Sequence, residues 1–316
     1  MKDLLWQADG GRSGAGLGKM WQIWYLLTTE AWVRPRLGAS SSSMDSSQPM
    51  GVNSTVIAAL TRRDRLIATS YRMSFLLELF HGIIGLALYY FISKTFGSFS
   101  SSDLDPAPTY FAYAAVGVVM GGVLDATSAG VGYRIRDEQV TGTLEAVSTA
   151  PVTSLDLCLG LMGFPFFFAS ARAAFYLVVA AVLMGLDVGN TSWIGIVLVF
   201  LATGTAMAPI GILAGAAVLV MKRGQLVSGT LVFLMSILAG MVFPVSVLPN
   251  GLQALSALIP LRYAFDGARQ ALFTGSGWED DVLALVAFAV VLWPLSVILF
   301  GKAGAWARRA GSLSEY

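Results

Sequence analysis

The sequence predicts an all-α polytopic membrane protein with six transmembrane helices. Three observations carry that expectation. Of 316 residues, 56% are hydrophobic and only 12% are charged, about half the charged share of an ordinary soluble domain, so a water-facing coat cannot be built from them. The uncharged residues are gathered into runs long enough to cross a hydrocarbon core about 30 Å thick, which takes roughly 20 apolar residues in a helix. Finally, seventeen of the twenty lysines and arginines fall on one side of the six crossings, as expected when basic residues stay on the cytoplasmic face.

The spans follow from the spacing of charges. The first, about 73–93, contains Glu78 as its one charge, and the second, about 108–130, is built on the run between Asp105 and Asp125. The third, about 162–186, carries Arg172 as its one charge, and the fourth, 193–220, is broken by Pro209 and Gly211. The sixth, 282–301, lies between Asp281 and Lys302. Between them the uncharged run 224–261 would extend about 57 Å as one helix at 1.5 Å per residue, too long for a single crossing. Pro244, Pro249, Asn250, Gly251 and Pro260 crowd its second half and break the hydrogen-bond ladder there. A fifth span at about 225–244 and a short re-entrant helix near 250–259 result. Irregular backbone at that depth requires cover from protein or water.

With both termini inside, the cytoplasmic side holds the basic residues of segment 1–72, Arg134, Arg136, Arg172, Lys222, Arg223, Lys302, Arg308 and Arg309. The other side keeps Lys94, Arg262 and Arg269 among a majority of acids, including Asp103, Asp187, Asp266 and Asp281. One cysteine and one histidine exclude a disulfide framework and a CxxC zinc site and leave no basis for a His-rich metal site or a Ser-His-Asp triad. Cys158 has no partner in sequence and is expected to be inert. A net charge of +1 without a basic domain argues against nucleic acid as a partner.

Residues 1–53 form a flexible N-terminal extension, with low-complexity stretches SGAGLG and SSSSMDSSQP and a short aromatic stretch, 20–33, suited to the membrane interface. It lacks the layout of a signal peptide. GRSGAGLGK at 11–19 is no phosphate loop, because Ser13 and Met20 stand where that loop needs glycine and Ser or Thr. Residues 54–72 read as an amphipathic helix lying flat at the headgroups, with Ile57, Leu60, Ile67 and Tyr71 on one face and Arg62, Arg63, Asp64 and Arg65 elsewhere. A tail, 311–316, ends the chain. The acceptor patterns at Asn53 and Asn190 fall on the cytoplasmic side and hard against the membrane, where they carry no glycan.

The cytoplasmic segment between spans two and three, 134–160, is longer than a plain connection requires. It holds a helix-sized stretch with Glu138, Gly142, Thr143, Leu144 and Glu145, stopped by Pro151. Leu144 and Val147 are apolar at i and i+3 with acids on the flanks, the pattern of a docking helix.

The stretch EQVTGTLEAVSTAPV resembles the signature of type-2 ABC exporter permeases. A second stretch, FPVSVLPNGLQALSALIPLRYAFDGARQALF (243–273), is similar to that family's C-terminal pattern of Phe-Pro, Leu-Pro, a short helix, Pro-Leu and a later Arg. The resemblance covers 54–310, and its nearest flavour is that of antibiotic-resistance and nodulation-factor export permeases. The chain departs from the pattern in its long N-terminal extension and in Ile259, where many relatives have Asn.

The resemblance implies a permease that is not itself an enzyme. It would form a homodimer or a heterodimer with a paralogue in membrane lipid, each copy engaging a separate ABC ATPase subunit. ATP and magnesium would sit on that partner, with no cofactor on this chain. The helix at 138–150 would be the coupling helix, with Leu144 buried in the ATPase, Glu138 and Glu145 pairing with its basic residues, Gly142 permitting close approach and Pro151 fixing the turn into span three. Spans two and five would line the export path, where Tyr113, Phe233, Met241 and Phe243 offer aromatic and adaptable surface. An amphipathic drug, lipid or glycan would move outward across a bacterial inner membrane.

Four polar groups lie within or at the edge of the spans: Glu78, His81, Asp125 and Arg172. Glu78 and His81 are three apart on one helix face, and Asp125 and Arg172 lie toward the same end of spans two and three, so each set is placed to pair. The bland alternative is packing and snorkelling at the inner interface. An ion-coupled secondary carrier using the intramembrane carboxylates is the rival function. It would carry an inverted repeat with broken helices in both halves, and the break near 244–251 has no counterpart in the first half. An intramembrane hydrolase would need a nucleophile and base that the spans lack.

Overall fold

In a computed structural model, the structure describes residues 54–70, 72–96, 104–141, 154–221 and 224–310. Among them the regular elements are helices: α1 (Ser54–Ser70), α2 (Arg72–Phe96), α3 (Tyr110–Thr127), α4 (Ala129–Val140), α5 (Ser154–Met184), α6 (Trp193–Val220), α7 (Gly224–Leu238), a 3₁₀ turn (Val245–Val247), α8 (Asn250–Ser256), α9 (Pro260–Phe273) and α10 (Trp278–Ala310). The protein is a polytopic α-helical membrane protein. Among the described residues, five stretches are long and apolar enough to cross a membrane: Leu76–Thr95, Tyr110–Glu138, Asp156–Met184, Trp193–Val220 and Trp278–Trp306.

Burial divides these spans into inner and outer ones. Most of the apolar stretch formed by α3 and α4 is buried inside the protein, against almost none of that in α2. Leu77, Phe80, Ile84, Leu88 and Phe91 form an exposed apolar stripe along α2, which is the surface that lipid rather than water solvates. The core is built around α3 and α6. Helix α10 packs along α6, α5 along α3, and α9 wedges against both α6 and α10.

Pro165, Pro209 and Pro294 lie inside long helices without breaking them, and at the first two a neighbouring side chain takes over the lost donor. Pro209 in α6 has no N–H to give the Thr205 carbonyl, and the Trp293 indole of α10 donates to that oxygen instead, at 3.1 Å. Pro165 in α5 likewise frees the Leu161 carbonyl, which accepts from Arg134 Nη1 at 3.2 Å. In lipid such freed carbonyls survive only when satisfied in this way. Span four is therefore one continuous helix.

Span two does break, at Ser128. The Thr127 hydroxyl donates back to the Val123 carbonyl at 2.9 Å, and the Ser128 hydroxyl to that of Leu124. Such back-bonding bends helices, and the chain resumes as α4 to Val140. The helical stretch thus runs about ten residues past the boundary near 130 expected from sequence.

The fifth expected span, 225–244, is shorter than its run of apolar residues suggests. Helix α7 has 15 residues, a rise of about 22 Å, and stops before Pro244 is reached. Gly240 adopts φ +81°, its N–H bonds to the Ile237 carbonyl at 3.1 Å, and the Met241 N–H bonds to that of Ser236 at 3.1 Å. These are the two bonds of a Schellman cap. Beyond it the irregular 244–249 backbone is held by Gln253, whose Nε2 donates to the Leu248 and Ser246 carbonyls at 2.7 and 3.1 Å.

Where a short re-entrant helix is expected, at 250–259, the structure has the short helix α8, followed by a second, α9, which opens with Pro260 in its first turn. There proline is pre-organised and its missing N–H costs nothing. One face of α9 buries Leu261, Ala264, Phe265, Ala268 and Leu272. Its far end is tied to the start of α6 by Ser192 N–H on the Ala271 carbonyl, 2.8 Å, and Thr191 Oγ1 on that of Leu272, 2.9 Å.

Candidate functional site

At one end of the bundle α1 is clamped to the foot of α4 and to α5. Val56, Leu60 and Asp64, spaced i, i+4 and i+8, are the buried positions of α1. The close approach is made possible by Gly160, where a Cβ would overlap Leu60. This face differs from the stripe expected from sequence: Leu60 is shared, but Ile67 is 50% exposed and remains available to headgroups.

Asp64 lies at the centre of the clamp. Arg134 Nη1 stands 2.7 Å from its Oδ2 and Arg63 Nη2 3.0 Å from its Oδ1, while Arg63 Nη1 is 2.7 Å from Glu138 Oε1. Arg134 also holds the Leu161 carbonyl freed by Pro165, so four side chains and one carbonyl join three helices. Burial opposes the charge on Arg63, but the carboxylates of Glu138 and Asp64 outweigh it and hold its proton more tightly than in a solvated arginine side chain.

Glu138 therefore belongs to the last turn of α4, not to the start of a separate helix, and its carboxylate is engaged by Arg63 within the chain. The sequence assigns it to a partner's basic residues because nothing in the spacing reveals Arg63, 75 positions earlier. Gly142, Thr143, Leu144, Glu145, Val147 and Pro151 lie outside the described residues.

Midway along the bundle, Arg172 of α5 reaches α2, with Nη1 2.9 Å from Glu78 Oε1. Gly122 makes room for the guanidinium, since a Cβ there would stand 2.8 Å from Nη2. The Tyr176 hydroxyl, one turn along α5, donates to the Glu78 carbonyl oxygen at 3.0 Å. The ion-pair partner of Arg172 is thus Glu78, where sequence position suggested Asp125. Asp125 is exposed on α3, and His81 is exposed on α2 while the Glu78 side chain turns to α5.

The four residues expected along an export path separate. Phe233 is 64% exposed on α7, next to a shallow apolar groove lined by Leu226, Val227, Thr230, Leu231 and Leu234. Phe243 is half-buried beyond the α7 cap. Met241 rests on α3: its carbonyl sits where a Cβ on Gly117 would be, and its Cε lies 3.0 Å from where one on Gly121 would be. Gly117, Gly121 and Gly122 of α3 thus admit the end of α7 and the Arg172 guanidinium.

Tyr113 is buried in the protein. Its hydroxyl donates to the Gly240 carbonyl at 3.0 Å, and the Arg269 guanidinium of α9 stacks on its ring with Cζ 3.5 Å from the centroid. Arg269 is 1% exposed and donates from Nη2 to the Gly240 carbonyl at 2.7 Å. Sequence reasoning counts Arg269 as a charge on the far side and as part of the pattern in 243–273, and gives it no packing role. The signal it overlooks is position: Arg269 follows Leu261 and Phe265 at steps of four on the buried face of α9.

Among the described residues no group of three or more His, Cys, Asp or Glu is placed to hold a metal ion. The geometry is that of helices braced against one another at both ends of a bundle, with charged groups joining elements rather than converging on a reacting centre. No curated protein matches the chain. A family model does: residues 55–273, the stretch from α1 to the end of α9, match that of the ABC-2 type transporter, and the chain belongs to this family.

Proposed function

We propose that the chain is the membrane-spanning subunit of an ATP-driven exporter, with hydrolysis carried by a separate ATPase subunit bearing ATP and magnesium. Family membership makes it an ABC permease subunit; the export direction, the partner and the cargo are inferred. The observation that carries the coupling role is the clamp of Arg63, Asp64, Arg134 and Glu138 at the foot of α4. It stands where the segment 142–151 with its Leu144–Val147 ridge begins, so a push on that segment reaches α1, α4 and α5 together. Glu138 acts by bracing α4 rather than by meeting the ATPase, leaving Leu144 and Glu145 for that contact.

The proposed arrangement has both termini in the cytoplasm of a bacterium, two permease copies in the inner membrane, and an amphipathic drug, lipid or glycan as cargo. Surfaces that suit such a cargo are apolar and open, as along α7 and at Phe233. The test is capture of the ATPase encoded beside this chain by full-length protein in detergent. Intact protein is expected to retain it and Leu144→Asp to lose at least about tenfold in affinity, the cost of placing a charge at a buried contact. Unchanged capture by Leu144→Asp overturns the coupling role.

A further inference from the structure

We propose that Arg269 is the joint that makes the α8–α9 unit move as one body with α3 and the end of α7. It is a positioning residue for export, not a group that touches cargo. The transport half of this statement rests on the exporter reading above; the docking half does not.

The geometry is specific. A guanidinium 1% exposed ordinarily requires a close carboxylate, but the nearest oxygen of Asp266 is 3.5 Å away and Arg269 Nε has no hydrogen-bond partner among the described residues. The charge is held by this long contact, in which Nη1 donates to Asp266 Oδ1, together with the Tyr113 ring at 3.5 Å and three backbone carbonyls. Nη2 reaches those of Gly240 at 2.7 Å, Met241 at 3.3 Å and Tyr113 at 3.4 Å.

Two of those carbonyls belong to the segment that the Schellman cap turns out of helix α7, and the third lies in the first turn of α3. Buried among these helices, the Gly240 and Tyr113 carbonyls have no water to bond. One side chain of α9 therefore satisfies backbone on two other helices and lies flat on an aromatic face of one of them. Separating α9 from α3 breaks the stack and strips the carbonyls in a single event, so the unit is either docked or released, with no graded intermediate. Gly117 supports the same contact from below, because any Cβ there would displace the Met241 carbonyl. Lysine cannot substitute, lacking the planar face that stacks and the fork that spans several acceptors.

The first arm of the test is amide hydrogen exchange of the full chain in lipid nanodiscs. Arg269→Lys, Arg269→Met and Tyr113→Leu are each expected to speed exchange across 240–258 by about tenfold or more, and Tyr113→Phe, which keeps the ring and loses one hydroxyl, by about threefold, with α6 and α10 unchanged. Exchange across 240–258 that stays within about twofold in Arg269→Lys overturns the docking role. So does an equal rise in α6 and α10, which marks general loss of structure. Should Arg269→Met fail to fold, the two Tyr113 variants decide the same point.

The second arm uses the complex with its ATPase, trapped with ATP and vanadate. In the intact complex, trapping is expected to alter exchange both at the foot of α4, 134–140, and across 240–248. In Arg269→Lys the response at α4 is expected to remain, with ATP hydrolysis within about twofold, while the response across 240–248 disappears. A response there that survives in Arg269→Lys overturns the joint. If the intact chain captures no ATPase, the exporter reading fails, and the first arm still decides whether Arg269 docks the unit.

Discussion

The Trp293 indole N–H donates to the Thr205 carbonyl at 3.1 Å, and Thr205 is the residue four positions before Pro209. Two helices 88 positions apart at this contact are thus joined at the point where one of them lacks a donor. Trp293→Phe is expected to destabilise the full chain by about 1–2 kcal/mol, the cost of a carbonyl left unsatisfied toward lipid plus lost contact area. Restoring the helical donor with Pro209→Ala should make the indole bond redundant. Thermal unfolding in detergent of the two single variants and the double variant checks this: simple additivity would mean that the indole does not serve the proline.

The α1 clamp leads to a second expectation. Asp64→Asn should loosen α1 from α4 and lower stability by about 1–3 kcal/mol, allowing for guanidiniums about a third exposed. Arg134→Gln should cost a similar amount, and the double change little more than either alone, because each removes the same bond. Two independent losses in chemical unfolding would show that the pair does not act as one unit.

The Arg172 pairing is open to the same kind of cycle. Glu78→Gln and Arg172→Gln are expected to couple by about 1 kcal/mol, while Asp125→Asn with Arg172→Gln adds up within about 0.5 kcal/mol. Coupling confined to Asp125 and Arg172 would contradict the observed geometry. Unfolding stability in nanodiscs is the readout, since the contacts concern packing whether or not cargo passes them.

Glycine substitutions separate close approach from mere flexibility. Gly117→Ala would place its methyl group on the Met241 carbonyl, so a loss of about 2–3 kcal/mol or displacement of the α7 end is expected. At Gly301, in α10, a Cβ meets nothing within 4 Å, so Gly301→Ala should be neutral or stabilise by up to about 1 kcal/mol through helix propensity. Similar melting temperatures for the two variants would remove the special role of Gly117.

The fold class and the long spans were legible because the penalty that shapes them acts residue by residue. Every backbone group in lipid must find an internal partner and every charge there is costly, so uncharged runs such as 106–124 and 282–301 mark helices directly. The motif around Glu138–Pro151 and the proline pattern from Phe243 onward were enough to indicate the family to which residues 55–273 belong. Less was legible at the ends of elements. Pro244 looked like the stop of span five, but the Schellman cap at Gly240 ends α7 earlier, and two hydroxyls bend span two at Ser128.

The partners of the charged side chains were not legible at all. Glu78 with Arg172, Asp64 with Arg134 and Arg269 with Tyr113 join residues 94, 70 and 156 positions apart. Periodicity tells which face of a helix is apolar, not which other helix lies against it or at what height. By itself the sequence determined that the chain dissolves in a bilayer as a set of helices, because burial of apolar surface and backbone satisfaction are local demands. Only the tertiary structure decided that Arg269 lies over Tyr113 and that Arg63 engages Glu138, because a guanidinium goes to whichever ring, carbonyl or carboxylate the packing brings within about 3 to 4 Å of it.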